Sequence, residues 1–173
     1  MITTLIARLI DREGGFVYHK ADRGGPTKYG VTQKTLSAYR GYPVTAAAVE
    51  ALSKAEAHSL YLAMFWEEPG FDSLNIPTIL TEMIFDAGVH HGPGTAVKIL
   101  QHAVGTKRDG DLGPKTYAAT QDQEPEMLAA RFMGARVEYI GKIITRDPTQ
   151  AVFAHGWMSR MREFITAIPA VVV

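Results

Sequence analysis

Glu13 closes a short apolar stretch and is followed at once by Gly14 and Gly15. A carboxyl group at a helix end, with glycines turning the backbone away, can be held against apolar side chains, which keeps its proton available as a general acid. A second carboxylate, Asp22, follows in a glycine-rich polar segment, and the hydroxyl of Thr27 comes shortly after. One acid, one candidate base and one hydroxyl able to position water are the groups needed to hydrolyse a glycosidic bond. Singly, each has a plainer reading: a glycine-capped helix end, an Asx-turn residue before Gly24-Gly25, and a hairpin residue. An acid at a helix C-terminus is, however, mildly disfavoured by the helix dipole. With His19, Lys28 and Tyr29 the three residues crowd a segment too polar and too short to exist for core packing, and active sites are often built on such loops.

The elements that must position these residues are mostly helices. Ile2, Leu5, Ile6, Leu9 and Ile10 recur at helical spacing up to about Asp11, with Thr3 or Thr4 as cap. Residues 14–31 read as tight turns with a small irregular hairpin, and the pairs Gly14-Gly15 and Gly24-Gly25 are expected to supply positive φ or close backbone approach. A helix through Leu36 and Tyr39 stops near Gly41-Tyr42-Pro43. Thr45 caps an alanine-rich turn from Ala46 to Leu52, and Ser53-Lys54-Ala55-Glu56 is a capping box opening a helix to Trp66. Pro77 is expected in the first turn of a helix through Val89, and Thr95 as the cap of a helix to Val104. A short helix at Lys115–Thr120 and two longer ones, about 125–145 and 149–167, complete the chain. The C-terminal run Val152, Phe153, Trp157, Met158, Met161, Phe164, Ile165 and Ile168 follows helical spacing and is expected to be mainly core.

The 173 residues fit one domain and can bury a substantial core. Charge is balanced, 18 basic against 18 acidic residues, so no basic field marks a nucleic-acid partner. Residues 131–163 are locally basic. Solvated helix faces are the expected reading, with an outer-membrane surface as the lesser alternative partner of the C-terminal helix. No cysteine is present, so the fold needs no disulfide. The N-terminus lacks a secretory pattern, and no stretch approaches the length of a membrane-spanning helix, so release by a separate protein is expected if the chain acts outside the cytoplasm.

Two further constellations carry less. His90 and His91 are adjacent and lack metal-ligand spacing, so neither a metal nor another cofactor is expected. Asp109-Gly110-Asp111 begins like a calcium loop without its remaining ligand positions, and reads as a turn feeding a helix. Trp66, Tyr61, Phe65 and Phe71 are core by default, and a subset of them can line a sugar cleft.

Glu13-Gly14-Gly15-Phe16, followed by Asp22-x-Gly24-Gly25-x-Thr27-x-Tyr29-Gly30-Val31-Thr32, resembles the signature of the glycoside hydrolase family 108 lysozymes, N-acetylmuramidases common among phage endolysins. Phe16 stands where Tyr is usual. Phe85-Asp86-Ala87-Gly88-Val89-His90-His91-Gly92-Pro93-Gly94, Leu100-Gln101 and Asp109-Gly110-Asp111-Leu112-Gly113-Pro114-Lys115-Thr116 resemble the predicted peptidoglycan-binding region that follows that domain, with His90 where Asn is more usual. The resemblance implies an α+β, mostly α, lysozyme-like fold: a single domain over 1–173, with a catalytic lobe at 1–75 and a helical peptidoglycan-binding-like lobe at 76–173. It implies an endolysin that cleaves the β-1,4 bond between N-acetylmuramic acid and N-acetylglucosamine, with Glu13 as general acid. By similarity to the Glu-Asp-Thr triad of phage-type lysozymes, Asp22 would orient or activate water and Thr27 hold it. His19, Tyr29, Trp66, Asp86, His90 and His91 are the substrate-binding candidates. Peptidoglycan is the expected partner, the protein is expected to be a monomer, and it should stay in the host cytoplasm until a holin-like protein releases it to the wall. The alternatives are a lytic transglycosylase, or a non-catalytic peptidoglycan-binding or secretion-assisting protein.

Overall fold

The computed structural model describes residues 1–18 and 25–168, and the chain divides into two compact units, Met1–Glu68 and Pro69–Val173. The first unit opens with helix α1 (Ile2–Glu13), whose buried residues Ile6, Leu9 and Ile10 form the three-four stripe read from the sequence. Neither Thr3 nor Thr4 caps it. The Met1 carbonyl accepts from the N–H groups of Thr4 and Leu5 at 3.1 and 3.2 Å, so both threonines already lie inside the helix. The stripe packs on α4 (Lys54–Leu62), which buries Ala57, Leu60 and Tyr61.

Between these helices in the chain lies the small sheet, which packs on the two helices that follow it. Strands β1 (Thr27–Lys28) and β2 (Val31–Thr32) pair antiparallel with Lys28 opposite Val31. The two residues between them, Tyr29 (φ 54) and Gly30 (φ 76), both lie in the left-handed region, the requirement of a two-residue type I′ hairpin turn. Val17 extends the pairing, exchanging two backbone hydrogen bonds with Thr27 at 2.8 and 2.9 Å. Thr32 then caps α2 (Gln33–Arg40), its hydroxyl accepting from the Thr35 N–H at 3.1 Å. Thr45 caps α3 (Ala46–Glu50) as expected. The capping box at Ser53 is half made. The Ser53 hydroxyl accepts from the Glu56 N–H at 3.1 Å, but the Glu56 carboxylate accepts two bonds from Arg40, at 2.8 and 2.9 Å, because a bidentate guanidinium is the stronger partner. After Leu62 the helix widens into a π-helical turn, Ala63–Glu67.

The second unit is all helical among its described residues. A 3₁₀ turn (Phe71–Ser73) precedes α5 (Thr78–His91), α6 (Pro93–Ala103), α7 (Pro114–Gln121), α8 (Pro125–Arg146), a second 3₁₀ turn (Pro148–Phe153) and α9 (Ala154–Ala167). Pro93, Pro114 and Pro125 each open a helix, where a missing N–H costs nothing. This displaces Thr95 from the capping role expected of it, since α6 starts two residues earlier. Pro77 sits one residue before α5 rather than in its first turn. The expected 149–167 helix begins instead as the 3₁₀ turn over Pro148–Phe153.

Helices α5, α6 and α8 pack on one another, and α9 lies along α8 and α5. Here the expectation for the C-terminal run does not hold. Met161 is buried, but Val152, Phe153, Met158 and Ile165 are exposed, at 77, 54, 40 and 46%. The helix docks through a narrow stripe, and the flanking apolar residues turn outward.

That stripe includes an ion-pair network. Arg136 lies fully buried within the apolar stripe of α8, between Phe132 and Ile140. Its Nη2 is 2.7 Å from Asp86 Oδ2, an ion pair at hydrogen-bonding distance without hydrogen-bonding angles. Arg160 of α9 donates to Asp86 Oδ1 through Nε at 2.7 Å and also through Nη2. Burial alone would raise the Asp86 carboxyl, but the bond from Arg160 and the charge of Arg136 outweigh it and hold the group below its ordinary range. Burial draws the Arg136 guanidinium down as well, but arginine keeps its proton at neutral pH. Asp86→Asn would leave two guanidiniums uncompensated, and removing one partner of a buried pair costs about 3–5 kcal/mol. Urea unfolding should record a loss of that size.

Candidate active site

Glu13 is the last residue of α1, and Gly14 (φ 74) ends the helix by donating its N–H to the Ile10 carbonyl at 3.4 Å. The Gly14 carbonyl then accepts from the Tyr29 N–H at 3.1 Å, which ties the helix end to the hairpin turn. On the other side of that turn the Tyr61 hydroxyl of α4 donates to the Tyr29 carbonyl at 2.9 Å. Gly30 lies between them. A Cβ there would fall 2.6 Å from the Tyr61 hydroxyl oxygen and 3.2 Å from Glu13 Cγ. Only a glycine lets the turn come this close, and the result brings the Glu13 side chain and the Tyr61 hydroxyl to one point.

The electrostatics agree with that geometry. Tyr61 is almost fully buried, and its phenol is pushed well above its ordinary value, first by burial and then by the negative charge of Glu13. It therefore stays a proton-bearing donor at any physiological pH. Glu13 itself is exposed. The apolar enclosure expected from its place at the helix end is not supplied by the described residues, because the hairpin turn and Tyr61 approach it from one side.

The remaining candidates divide by unit. Thr27 lies in β1, half-buried, with its hydroxyl 3.4 Å from the Gly25 carbonyl. Tyr29 carries its strained φ, and the Lys28 ammonium sits 5.2 Å from its ring centroid. His19 and Asp22 lie outside the described residues, as does Gly24. Of the double glycines, Gly14 and Gly25 have positive φ and Gly15 does not. Trp66 is in the π-helical turn, a feature common near functional sites, but it is only 9% exposed. In the second unit, Asp86 is committed to its two arginines. His91 Nε2 accepts from Arg136 Nε at 3.4 Å, with its ring edge-on to Tyr139 at 5.1 Å. These two side chains, expected to face substrate, hold helices together. His90 is the exposed member of that group.

Sequence reasoning gave neither Tyr61 nor Gly30 a place beside Glu13. Tyr61 stands in the apolar spacing of α4 and reads as core by default, with a sugar cleft as its lesser alternative. Gly30 was visible as part of the motif, without the close approach that requires it. Among the described residues no group of three or more His, Asp or Glu side chains is arranged to hold a metal ion, and no helix is long and apolar enough to cross a membrane.

Residues 6–92 match the family described as Glycosyl hydrolase 108, and residues 95–162 match that described as Predicted Peptidoglycan domain. Among solved structures the chain is similar to Brucella abortus SagA, with 33% identity and a TM-score of 0.84, over 95% of this chain and 91% of that one. Among curated proteins nothing matches.

Two outcomes follow from the geometry. Gly30→Ala places a methyl group against Tyr61 and Glu13 at a positive φ, and should destabilise by more than about 1 kcal/mol. Gly15→Ala meets nothing within 4 Å and should leave the melting temperature unchanged. The second outcome concerns His91, whose imidazole is lowered to about 4 from 6.5, first by burial and then by the charge of Arg136. Between these values the unfolded chain binds a proton that the folded protein does not. Stability should therefore fall as pH drops from about 6.5 to about 4. Asp86 adds its own loss only below the ordinary carboxylate value of 3.8. Thermal melts of the protein and of His91→Gln across this window should differ in slope.

Proposed function

The chain belongs to the glycosyl hydrolase 108 family, and from that premise we propose a muramidase of the endolysin type, cutting the β-1,4 bond between N-acetylmuramic acid and N-acetylglucosamine with Glu13 as proton donor. It is a glycoside hydrolase that acts on peptidoglycan, with a lysozyme-like α+β fold. The observation that carries the finer reading is the meeting of Glu13, Gly30 and Tyr61. A carboxyl group open to solvent can reach a glycosidic oxygen, while the buried hydroxyl behind it fixes the turn against which it rests.

In this mechanism Glu13 protonates the leaving oxygen. Asp22 activates a water on the far face of the sugar, and the Thr27 hydroxyl helps to hold it. That arrangement inverts the anomeric carbon and needs about 6.5–9.5 Å between the two carboxyl groups, against about 5–5.5 Å for a retaining pair. The protein would work as a monomer and reach the wall from the cytoplasm through a separate membrane-permeabilising protein.

Digestion of purified peptidoglycan tests the bond and the chemistry together. Muramic acid reducing ends are expected in the product masses. 1,6-Anhydro ends would mean transglycosylation, and no products would mean a binding protein. Glu13→Gln keeps the shape and removes the proton, and should lower the rate at least about 10²-fold. A folded Glu13→Gln protein that clears cell-wall suspensions at near the normal rate would overturn the assignment of Glu13.

A further inference from the structure

The second unit carries a groove of about 340 Å³ between α6 and α8 that the hydrolytic site does not use. Its floor is apolar, with buried Ile99 and Ala135 beside half-buried Tyr139. Its rim is cationic: Lys98, Arg108 and Lys142 surround a single carboxylate, Glu138. Glu138 already accepts from Lys142, and His102 Nδ1 lies 3.6 Å from its other oxygen. Lys98 and Arg108 form no ion pair or hydrogen bond among the described residues. The groove thus holds an excess of positive charge over an apolar floor.

The position of Lys98 is built by a loop whose motif the hydrolytic reading leaves unexplained. Buried Gln101 fastens Asp109-Gly110-Asp111. Its amide nitrogen donates to Asp109 Oδ1 at 2.6 Å and to the Asp111 carbonyl at 3.0 Å, and its oxygen accepts from the Gly110 N–H at 3.0 Å. Gly110, at φ +92, lies so close to the Lys98 stem that a Cβ would fall 2.9 Å from Lys98 Cε and 3.3 Å from the Gly94 carbonyl. The loop therefore acts as a wall along which the lysine stem is laid, rather than as a cation site. Asp109 is itself occupied by Gln101 and by Lys107 at 3.6 Å.

We propose that this groove binds the peptide stems of peptidoglycan, with Lys98 and Arg108 receiving stem carboxylates and the floor of Ile99, Ala135 and Tyr139 receiving small apolar side chains. The assignment rests on the reading of the chain as a peptidoglycan hydrolase, and it names which part of that polymer the second unit recognises. A neutral sugar ring would call for an exposed aromatic face. The groove's one phenol ring, Tyr139, is half-buried and packed against His91. A short peptide carrying carboxylates and methyl groups matches both the charge and the floor. The volume lies at the small end of ordinary ligand clefts, suited to a few residues rather than a long strand.

Binding is read with the full chain carrying Glu13→Gln, so that the wall is not consumed. Intact sacculi are compared with glycan strands stripped of their peptides by an amidase. Lys98→Glu with Arg108→Glu should weaken co-sedimentation with intact sacculi at least about tenfold and leave binding to stripped strands unchanged. Soluble stem tetrapeptide should displace the Glu13→Gln protein from sacculi, less well at high salt, and should shift the NMR signals of Ile99 and Tyr139. Should the charge reversal unfold the protein, Lys98→Gln with Arg108→Gln is read in the same way, with a smaller loss expected. Equal binding of the altered and unaltered proteins to intact sacculi, while the native enzyme still digests peptidoglycan, would overturn the groove alone. A loss on stripped strands as large as that on sacculi would overturn its peptide specificity. If the native enzyme digests no peptidoglycan and the Glu13→Gln protein binds no sacculi, the hydrolase reading fails and the groove assignment with it.

Discussion

The hydrogen bond from the buried Tyr61 hydroxyl to the Tyr29 carbonyl is the constraint on which the first unit depends. Tyr29 holds a left-handed conformation that costs a non-glycine residue of order 1 kcal/mol or more. Its carbonyl is gripped by Tyr61 and its N–H by the Gly14 carbonyl, so the turn is fixed from both sides. The same contact requires the apolar packing of α1 on α4. The two helices must meet closely enough for a side chain of one to reach the hairpin that adjoins the end of the other. Glu13 is positioned as a consequence, beside a turn that cannot slide without breaking both bonds.

The second unit is organised by a different interaction, a buried carboxylate shared by two arginines. Asp86 on α5, Arg136 on α8 and Arg160 on α9 join three helices through one anion. A hydrophobic stripe alone would let α9 slide or roll, and its mostly exposed apolar side chains give little resistance to that. The ion pairs fix one register. They also put His91 beside a fixed positive charge, which adds to its burial in making that imidazole resist protonation. The two units thus use their polar groups differently. In the first, buried polar atoms shape a strained turn next to an exposed acid. In the second, they lock helices whose outer faces carry a cationic groove.

Those differences divide the candidate residues more sharply than their types do. Asp86 and His91 have the chemistry of binding residues and sit in a conspicuous motif, yet their polar atoms face arginine partners. Lys98 and Arg108 stand on a helix face and in a loop where charge is ordinarily mere solvation, yet among the described residues neither side chain is held in an ion pair or hydrogen bond, and Arg108 shares only the longer-range field of Glu138.

Much of the architecture was legible in the sequence. Three-four spacing located α1, and Thr45 and Ser53 marked helix starts, because helix formation and capping depend on neighbours a few residues apart. The motif around Glu13 and Tyr29-Gly30 carried the family, and with it the lysozyme-like fold and the class of reaction. Only the tertiary structure decided that Tyr61 closes on Tyr29 from 32 residues away, that Gly30 serves Glu13 and Tyr61 together, and that Arg136 is buried by virtue of Asp86. Each of these is a contact between segments distant along the chain. Local spacing reports which face of an element is apolar, but not which polar side chain on another element will meet it. Whether a charged residue becomes a ligand, a lock or solvated surface depends on that meeting alone.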